Sequence, residues 1–263
     1  MATGSGAIAA ALRRCPPAGG EPLPWQLRWR PVCASTELEL DRLLATGCRA
    51  PVAVIARRQS RGHGQQGRVW QSPPGGLWLS AALPWGGGDG GHPGLAAPAL
   101  ALSLGLCLQL EGLGLRPQIK WPNDLLLNGR KLAGILPRLR WRAGRLQGCR
   151  VGVGLNGVNR VPPGAIALAE GLRQGANGSP RRNGLLHHPL AQPAPLAALV
   201  LRGLEWAVAA SAQAELVRRQ AEHRLWRASH LHCGQSWAVD GLALDGALRL
   251  RRGAQLVELR RDF

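Results

Sequence analysis

The chain is almost without lysine. Of its 33 cationic side chains only two, Lys120 and Lys131, are lysine, and arginine supplies the rest. Tyrosine is absent, and phenylalanine and methionine occur once each. A GC-rich coding sequence accounts for much of this skew, since Gly, Pro, Ala, Arg and Trp have GC-rich codons. The formal net charge is +18, yet the chain lacks any long basic run or basic stretch interleaved with aromatics. Charge alone therefore does not define a specific nucleic-acid site, and none is expected. There is no C-x-x-C pair among Cys15, Cys33, Cys48, Cys107, Cys149 and Cys233. With several of them in apolar runs, buried, reduced thiols are expected. His230-Leu-His-Cys233 has the residue types of a metal half-site but no second half, so no metal is expected from the protein's own side chains. His187-His188 lies in a Pro-flanked loop and reads as solvated. The longest apolar run, 95–110, is broken by Pro98, Ser103 and Gln109 and falls short of a membrane span. The apolar start, 1–12, is short and lacks the basic N-terminal region that a signal peptide carries, so none is expected. These absences predict a cytoplasmic protein with no membrane partner.

What is present is enough for a core: 45% of the 263 residues are hydrophobic, which fits one large domain or a domain with a small appendage. Residues 1–24 read as a loose extension and 23–33 as extended. Thr36 with Glu39 fits a capping box, Leu40, Leu43 and Leu44 form an apolar face, and Gly47 suits the end of that helix. Strands are expected at 52–57 and 77–83, a Gly/Pro-rich connector at 84–94, and a buried helix at 95–113. Asn128-Gly129 is a strong hairpin signal, and a second turn is expected near Arg142-Ala-Gly144. Residues 157–193 are loop-rich, and 195–226 predict one long helix. From 231 onwards short strands recur, with turns at Asp240-Gly241, Asp245-Gly246 and Arg252-Gly253. Strands and helices mix without regular alternation, so the class is α+β. The expected organisation is an extension over 1–24, a mixed-sheet domain over 25–226 and a small β domain over 227–263.

Both lysines fall inside 120–134. Lysine presents a compact charge with three rotatable donors, where arginine presents a bulky planar fork. A tight pocket that sets one charge against phosphate and carboxyl oxygens calls for the former. A two-residue turn at Asn128-Gly129 pairs 126 with 131 and 124 with 133. Asp124 and Lys131 are then diagonal neighbours, about 7–8 Å apart, flanked by the apolar Trp121, Leu125, Leu126, Leu132 and Ile135. Gly62-His-Gly-Gln-Gln-Gly67-Arg68 matches G-x-G-x-x-G literally, but Pro73 and Pro74 follow too soon for a helix, so it is not a dinucleotide fingerprint. Its glycines free backbone amides to wrap an anion. In Val151-Gly-Val-Gly-Leu-Asn156 the glycines share one strand face. That face marks either the close approach of a ligand or tight packing between layers.

Lys120-Trp-Pro-Asn-Asp124, Arg130-Lys-Leu-Ala-Gly-Ile-Leu136, Gly67-Arg-Val-Trp70, Ser35-Thr36 and Gly152-x-Gly154-x-Asn156 resemble, in order and spacing, the biotin–protein ligase family. The resemblance implies a biotin/lipoate ligase-like catalytic domain with a small SH3-like C-terminal domain. About thirty residues precede the first strand of that domain, too few for the DNA-binding domain some members carry. The implied reaction joins biotin to ATP as biotinyl-5′-AMP, with Mg²⁺ accompanying ATP. It then transfers biotin to a lysine of a biotin carboxyl carrier protein, that of acetyl-CoA carboxylase. Carried over by motif, Lys131 contacts the biotin carboxyl and the α-phosphate, and Asp124 positions the incoming lysine. Ser35, Thr36, Glu37, Gln59, Gly62, His63, Gly64, Gln65, Trp78, Gly134, Leu136 and Gly152 fall to biotin. Gly62, Gly64, Gly67, Arg68, Trp70, Lys120, Asn123 and Asn156 fall to the adenylate. Two departures stand out: His63 and Gln65 replace arginines of the family's loop, and Glu37 replaces the usual Asn or Ser. A lipoate–protein ligase and a biotin-binding, weakly active relative remain the alternatives, and a homodimer is compatible with the family.

Overall fold

The computed structural model describes residues 4–17, 19, 21–85, 97–143, 145–174 and 189–260. Most of the Gly/Pro-rich connector, and His187-His188, lie outside the described residues. Six helices and eleven strands follow in chain order among the described residues: α1 (Ser5–Arg14), β1 (Gln26–Arg30), α2 (Thr36–Ala45), β2 (Val52–Ala56), β3 (Leu77–Leu83), α3 (Pro98–Glu111), β4 (Gln118–Lys120), β5 (Asp124–Leu127), β6 (Arg130–Arg142), β7 (Arg145–Leu155), α4 (Leu168–Gln174), α5 (Pro193–Ala209), α6 (Ala214–His223), β8 (His230–His232), β9 (Gln235–Leu242), β10 (Leu248–Arg252) and β11 (Gln255–Leu259).

A seven-stranded sheet in the order β1-β2-β3-β7-β6-β5-β4 forms the main body, and a four-stranded sheet β11-β10-β9-β8 forms the second. The larger sheet is mixed, because β1 runs parallel to β2 and its other pairs are antiparallel. The fold is therefore α+β with a small C-terminal antiparallel sheet, as expected.

The two faces of the large sheet differ in what covers them. Ile55, Leu79, Val153 and Ile135 alternate onto the face whose core includes the α3 and α5 leucines, all nearly inaccessible. The opposite face carries Ser80, Gly152, Gly154 and Gly134 at its centre. Over β2 and β3 α2 covers that face, with Leu40 packed on Val52, Val54 and Ala82. The N-terminus of α2 thus comes to the uncovered centre.

Several elements differ from the sequence reading. Residues 5–14 are helical and pack on α5. The guanidinium of Arg202 donates to the carbonyls of Leu12 and Cys15 and pairs with Glu205 at 2.6 Å, both side chains buried. The cap of α2 is Ser35, whose hydroxyl accepts from Glu37 N–H; Thr36 and Glu39 make no capping box, since their side chains serve other partners. The expected long helix is two, α5 and α6, broken at 210–213. Asp240-Gly241 is not a turn but an irregularity in the pairing of β9 with β10, and the turn before β9 is Cys233-Gly234, both at positive φ.

Candidate active site

The hairpin of β5 and β6 turns at Asn128 (φ 52°) and Gly129 (φ 72°), as the sequence requires. Its register agrees as far as Leu126 opposite Lys131 and then shifts: Leu125 pairs with Ala133 and Asp124 with Gly134, not Ala133. The extra residue is a β-bulge. Its cause is distant in sequence. The Lys131 N–H donates to Gly164 O and its carbonyl accepts from Ile166 N–H, while Leu132 O accepts from Asn156 N–H. These bonds draw Lys131 and Leu132 out of the simple ladder.

The bulge sets Lys131, Gly134 and Leu136 along the uncovered face. Lys131 Nζ lies 2.7 Å from Asp124 Oδ1 and 4.9 Å from the Trp70 ring centre. The indole of Trp70 rests on bare backbone. A Cβ at Gly154 would come within 2.6 Å of it, and one at Gly134 within 2.9 Å. A Cβ at Gly152 would find nothing nearer than Leu136 Cβ at 3.7 Å. The glycine face therefore has both properties: Gly134 and Gly154 accept a packed ring, and Gly152 opens onto space.

That space is a cavity of about 390 Å³ lined at one end by Ser35, Thr36, Gln59 and Ser80 and at the other by Asp124, Lys131, Asn123 and Asn156. Its polar end is a directed relay. Thr36 donates from N–H (2.7 Å) and hydroxyl (3.0 Å) to Gln59 Oε1. With the one hydroxyl proton of Thr36 spent, Ser80 donates to Thr36 Oγ1 at 2.8 Å. Gln59 donates in turn to Ser72 Oγ, and Ser72 to Trp70 O. The geometry fixes which lone pairs and protons remain for a ligand.

Of the residues singled out in the sequence, Ser35, Thr36, Glu37, Gln59, His63, Gly64, Gln65, Arg68, Trp70, Asn123, Asp124, Lys131, Gly134, Leu136, Gly152 and Asn156 line this cavity. Four do not. Trp78 is buried beneath the 73–76 turn with its Nε1 donating to Pro73 O. Gly62 is buried against Ser72 and Trp70, Gly67 is a positive-φ turn residue, and Lys120 is exposed on β4. Sequence reasoning missed Ser80 and Arg138. Ser80 hides in the run LWLSAAL, where alternation with Trp78 was the available signal. Arg138 Nη1 lies 2.7 Å from Glu37 Oε1, while His63 Nε2 lies 2.7 Å from Glu37 Oε2. The cysteines stand apart from the chemistry: all six are free, and burial pushes the Cys149 thiol up to about 12 and Cys107 higher still. Among the described residues no group of three or more His, Cys, Asp or Glu side chains could hold a metal ion, and no helix is long and apolar enough to cross a membrane.

A mixed sheet with a polar slot, a lysine–carboxylate pair and a small second sheet defines an α+β ligand-binding domain of a known fold. The biotin protein ligase of Aquifex aeolicus in complex with biotin and ATP shares it, with a TM-score of 0.66 and 22% identity over 89% of this chain and 95% of that one. Residues 31–156, just under half of the chain, match the model of the biotin/lipoate A/B protein ligase family. It is 31% identical over 172 residues to the bifunctional ligase/repressor BirA of Bacillus subtilis, 62% of this chain and 51% of the relative. To the biotin–[acetyl-CoA-carboxylase] ligase of Paracoccus denitrificans it is 38% identical over 130 residues, 47% and 51% respectively. The chain thus spans about half the length of these curated relatives.

Proposed function

We propose that the protein is a biotin–protein ligase that activates biotin with ATP and transfers it to a lysine of a biotin carboxyl carrier protein, that of acetyl-CoA carboxylase. The observation that carries this is the single cavity joining a neutral hydrogen-bonding end to a compact cation, Lys131, beside Asp124. A fused-ring urea fits the first end: the Ser35, Thr36, Gln59 and Ser80 groups offer fixed donors and acceptors without charge.

In the first step a carboxylate oxygen of biotin bonds to the α-phosphorus of ATP and pyrophosphate leaves. Lys131 offsets charge on the carboxylate and on the α-phosphate, a preorganised contact that needs no reorganisation during reaction. In the second step the amine of the acceptor lysine bonds to the acyl carbon, AMP leaves with the bonding pair, and the amine gives up a proton. Asp124 Oδ1, already 2.7 Å from Lys131, is placed to orient that amine. Arg68, Trp70, Asn123 and Asn156 lie on the side assigned to the nucleotide. Mg²⁺ enters with ATP, and no protein side chain is assigned to it. This reading includes a cytoplasmic setting.

The test is ATP–pyrophosphate exchange with purified protein. Exchange that requires biotin supports the reading. Exchange that requires lipoate instead would place the chain in the other branch of the family, and biotin binding without exchange would make it an inactive relative.

A further inference from the structure

His63, on the glycine loop, and Glu37, in the first turn of α2, meet in space. His63 Nε2 lies 2.7 Å from Glu37 Oε2, and Arg138 Nη1 lies 2.7 Å from Glu37 Oε1. Glu37 is thus a hub at the first turn of α2, with one oxygen on β6 and the other on the glycine loop. At its root Arg61 N–H donates to Ala34 O, and beyond that its backbone bonds close on the loop itself. Gly64 N–H donates to Arg68 O, Trp70 N–H to Gly62 O, and His63 bridges to Val69. His63 and Glu37 both line the cavity. Their contact is therefore a link between the loop and the body of the protein at the cavity wall.

The surrounding charges sharpen what this link can do. On α2, Glu39 is paired with Arg30 and Arg42, and Asp41 with Arg150. On the loop, Arg68 donates to Gln66 and the Arg61 carbonyl lies 3.5 Å from His63 Nδ1. Across the cavity Lys131 is paired with Asp124. The facing strands β2 and β3 bring no charge. Among all these groups His63 is the one side chain of a type that changes charge between pH 5 and 8. Arg138 holds the other oxygen of Glu37, so the carboxylate is aimed at the loop.

We propose that His63 and Glu37 are positioning residues that clasp the 61–69 loop over the cavity, and that the clasp tightens when His63 is protonated. The consequence for turnover rests on the ligase reading: the activated intermediate is retained better in mild acid and released faster as pH rises. A charge-assisted hydrogen bond is roughly twice as strong as a neutral one, which corresponds to about a fivefold change in release.

The experiment measures dissociation of preformed biotinyl-5′-AMP from about pH 6 to about pH 8. Wild type should release about fivefold faster at the upper end. Glu37→Gln and His63→Asn should release fast with no such step, and His63→Lys should release slowly at both ends. An equal pH ratio in wild type and both neutral variants would overturn the clasp. Backbone amide exchange of residues 61–69, corrected for intrinsic rates, is read in parallel on protein without ligand. Protection there should fall with rising pH in wild type and be low throughout in Glu37→Gln. If biotinyl-5′-AMP fails to bind but protection follows pH, the ligase reading fails and the clasp stands. If binding holds and neither readout follows pH, the clasp is wrong.

Discussion

Gly152 and Gly154 sit two residues apart on one strand face, and alanine at each should do opposite things. At Gly154 the new methyl would lie 2.6 Å from Trp70 Cε2 and Nε1. Contacts that short do not persist, so the indole must leave its platform. Overpacking of this kind costs about 1–3 kcal/mol, which for a chain of this size lowers Tm by roughly 2–12 °C. At Gly152 the methyl meets nothing closer than 3.7 Å, and alanine in a strand recovers some backbone entropy relative to glycine. Tm should stay within roughly 2 °C of wild type or rise slightly. The methyl nevertheless projects into the cavity. Against a bound ring that fills the slot, the same 1–3 kcal/mol appears as a loss of biotin affinity of about 5- to 150-fold. The assay is a pair of measurements on each variant, thermal unfolding and titration calorimetry with biotin. Gly152→Ala binding biotin with wild-type affinity would refute the placement of the ligand on this face. Gly154→Ala with unchanged stability would refute the packing of Trp70 on it.

Two further predictions address the charges. Lys131→Arg should lose about 10²–10³ in pyrophosphate exchange, nearly as much as Lys131→Ala; near-normal exchange would show that charge alone, and not a compact ammonium, is what the site needs. Glu205→Gln should destabilise by about 3–5 kcal/mol, since it strands the buried Arg202 guanidinium, and should also weaken the bonds from Trp25 Nε1 and Leu23 N–H to Glu205 Oε1. Thermal unfolding checks it, and a Tm within roughly 2 °C of wild type would mean that the helix at 5–14 is not held by this pair.

Much of the site was legible because its signals are local. Asn128-Gly129 specifies its own turn, and alternation then places Asp124 and Lys131 on one face without reference to the rest of the chain. What escaped was set by partners far along the sequence. The bulge at Lys131 depends on Gly164 and Ile166, and only through it does Gly134, rather than Ala133, come opposite Asp124. The capping-box pattern at Thr36 and Glu39 was locally sound, but Gln59 and Ser80 take the threonine side chain and Arg30 and Arg42 take the glutamate. The break between α5 and α6 falls at 210–213, where the apolar pattern continues and carries no glycine or proline to mark it. Trp78 shares the face of Ser80 as alternation requires, yet the Ser72–Gly76 turn folds over it and removes it from the cavity.

The scarcity of lysine pointed to two positions, and the structure separates them. Lys120 pairs with Asp124 across β4 and β5 in register but is exposed and outside the cavity. Lys131 reaches the same carboxylate from the other strand and is held between it and an indole face. Every hydrogen-bonding direction at that point is already constrained: the backbone on both sides of Lys131 is bonded to 164–166, the ring below it lies on two glycines, and Asp124 stands opposite Gly134. An ammonium can turn its three donors within such a space, whereas a guanidinium must bring a plane of fixed donors. The geometry around Lys131 therefore gives a physical reason for an ammonium in an arginine-rich chain. It gives none for Lys120, whose retention nothing in the structure explains.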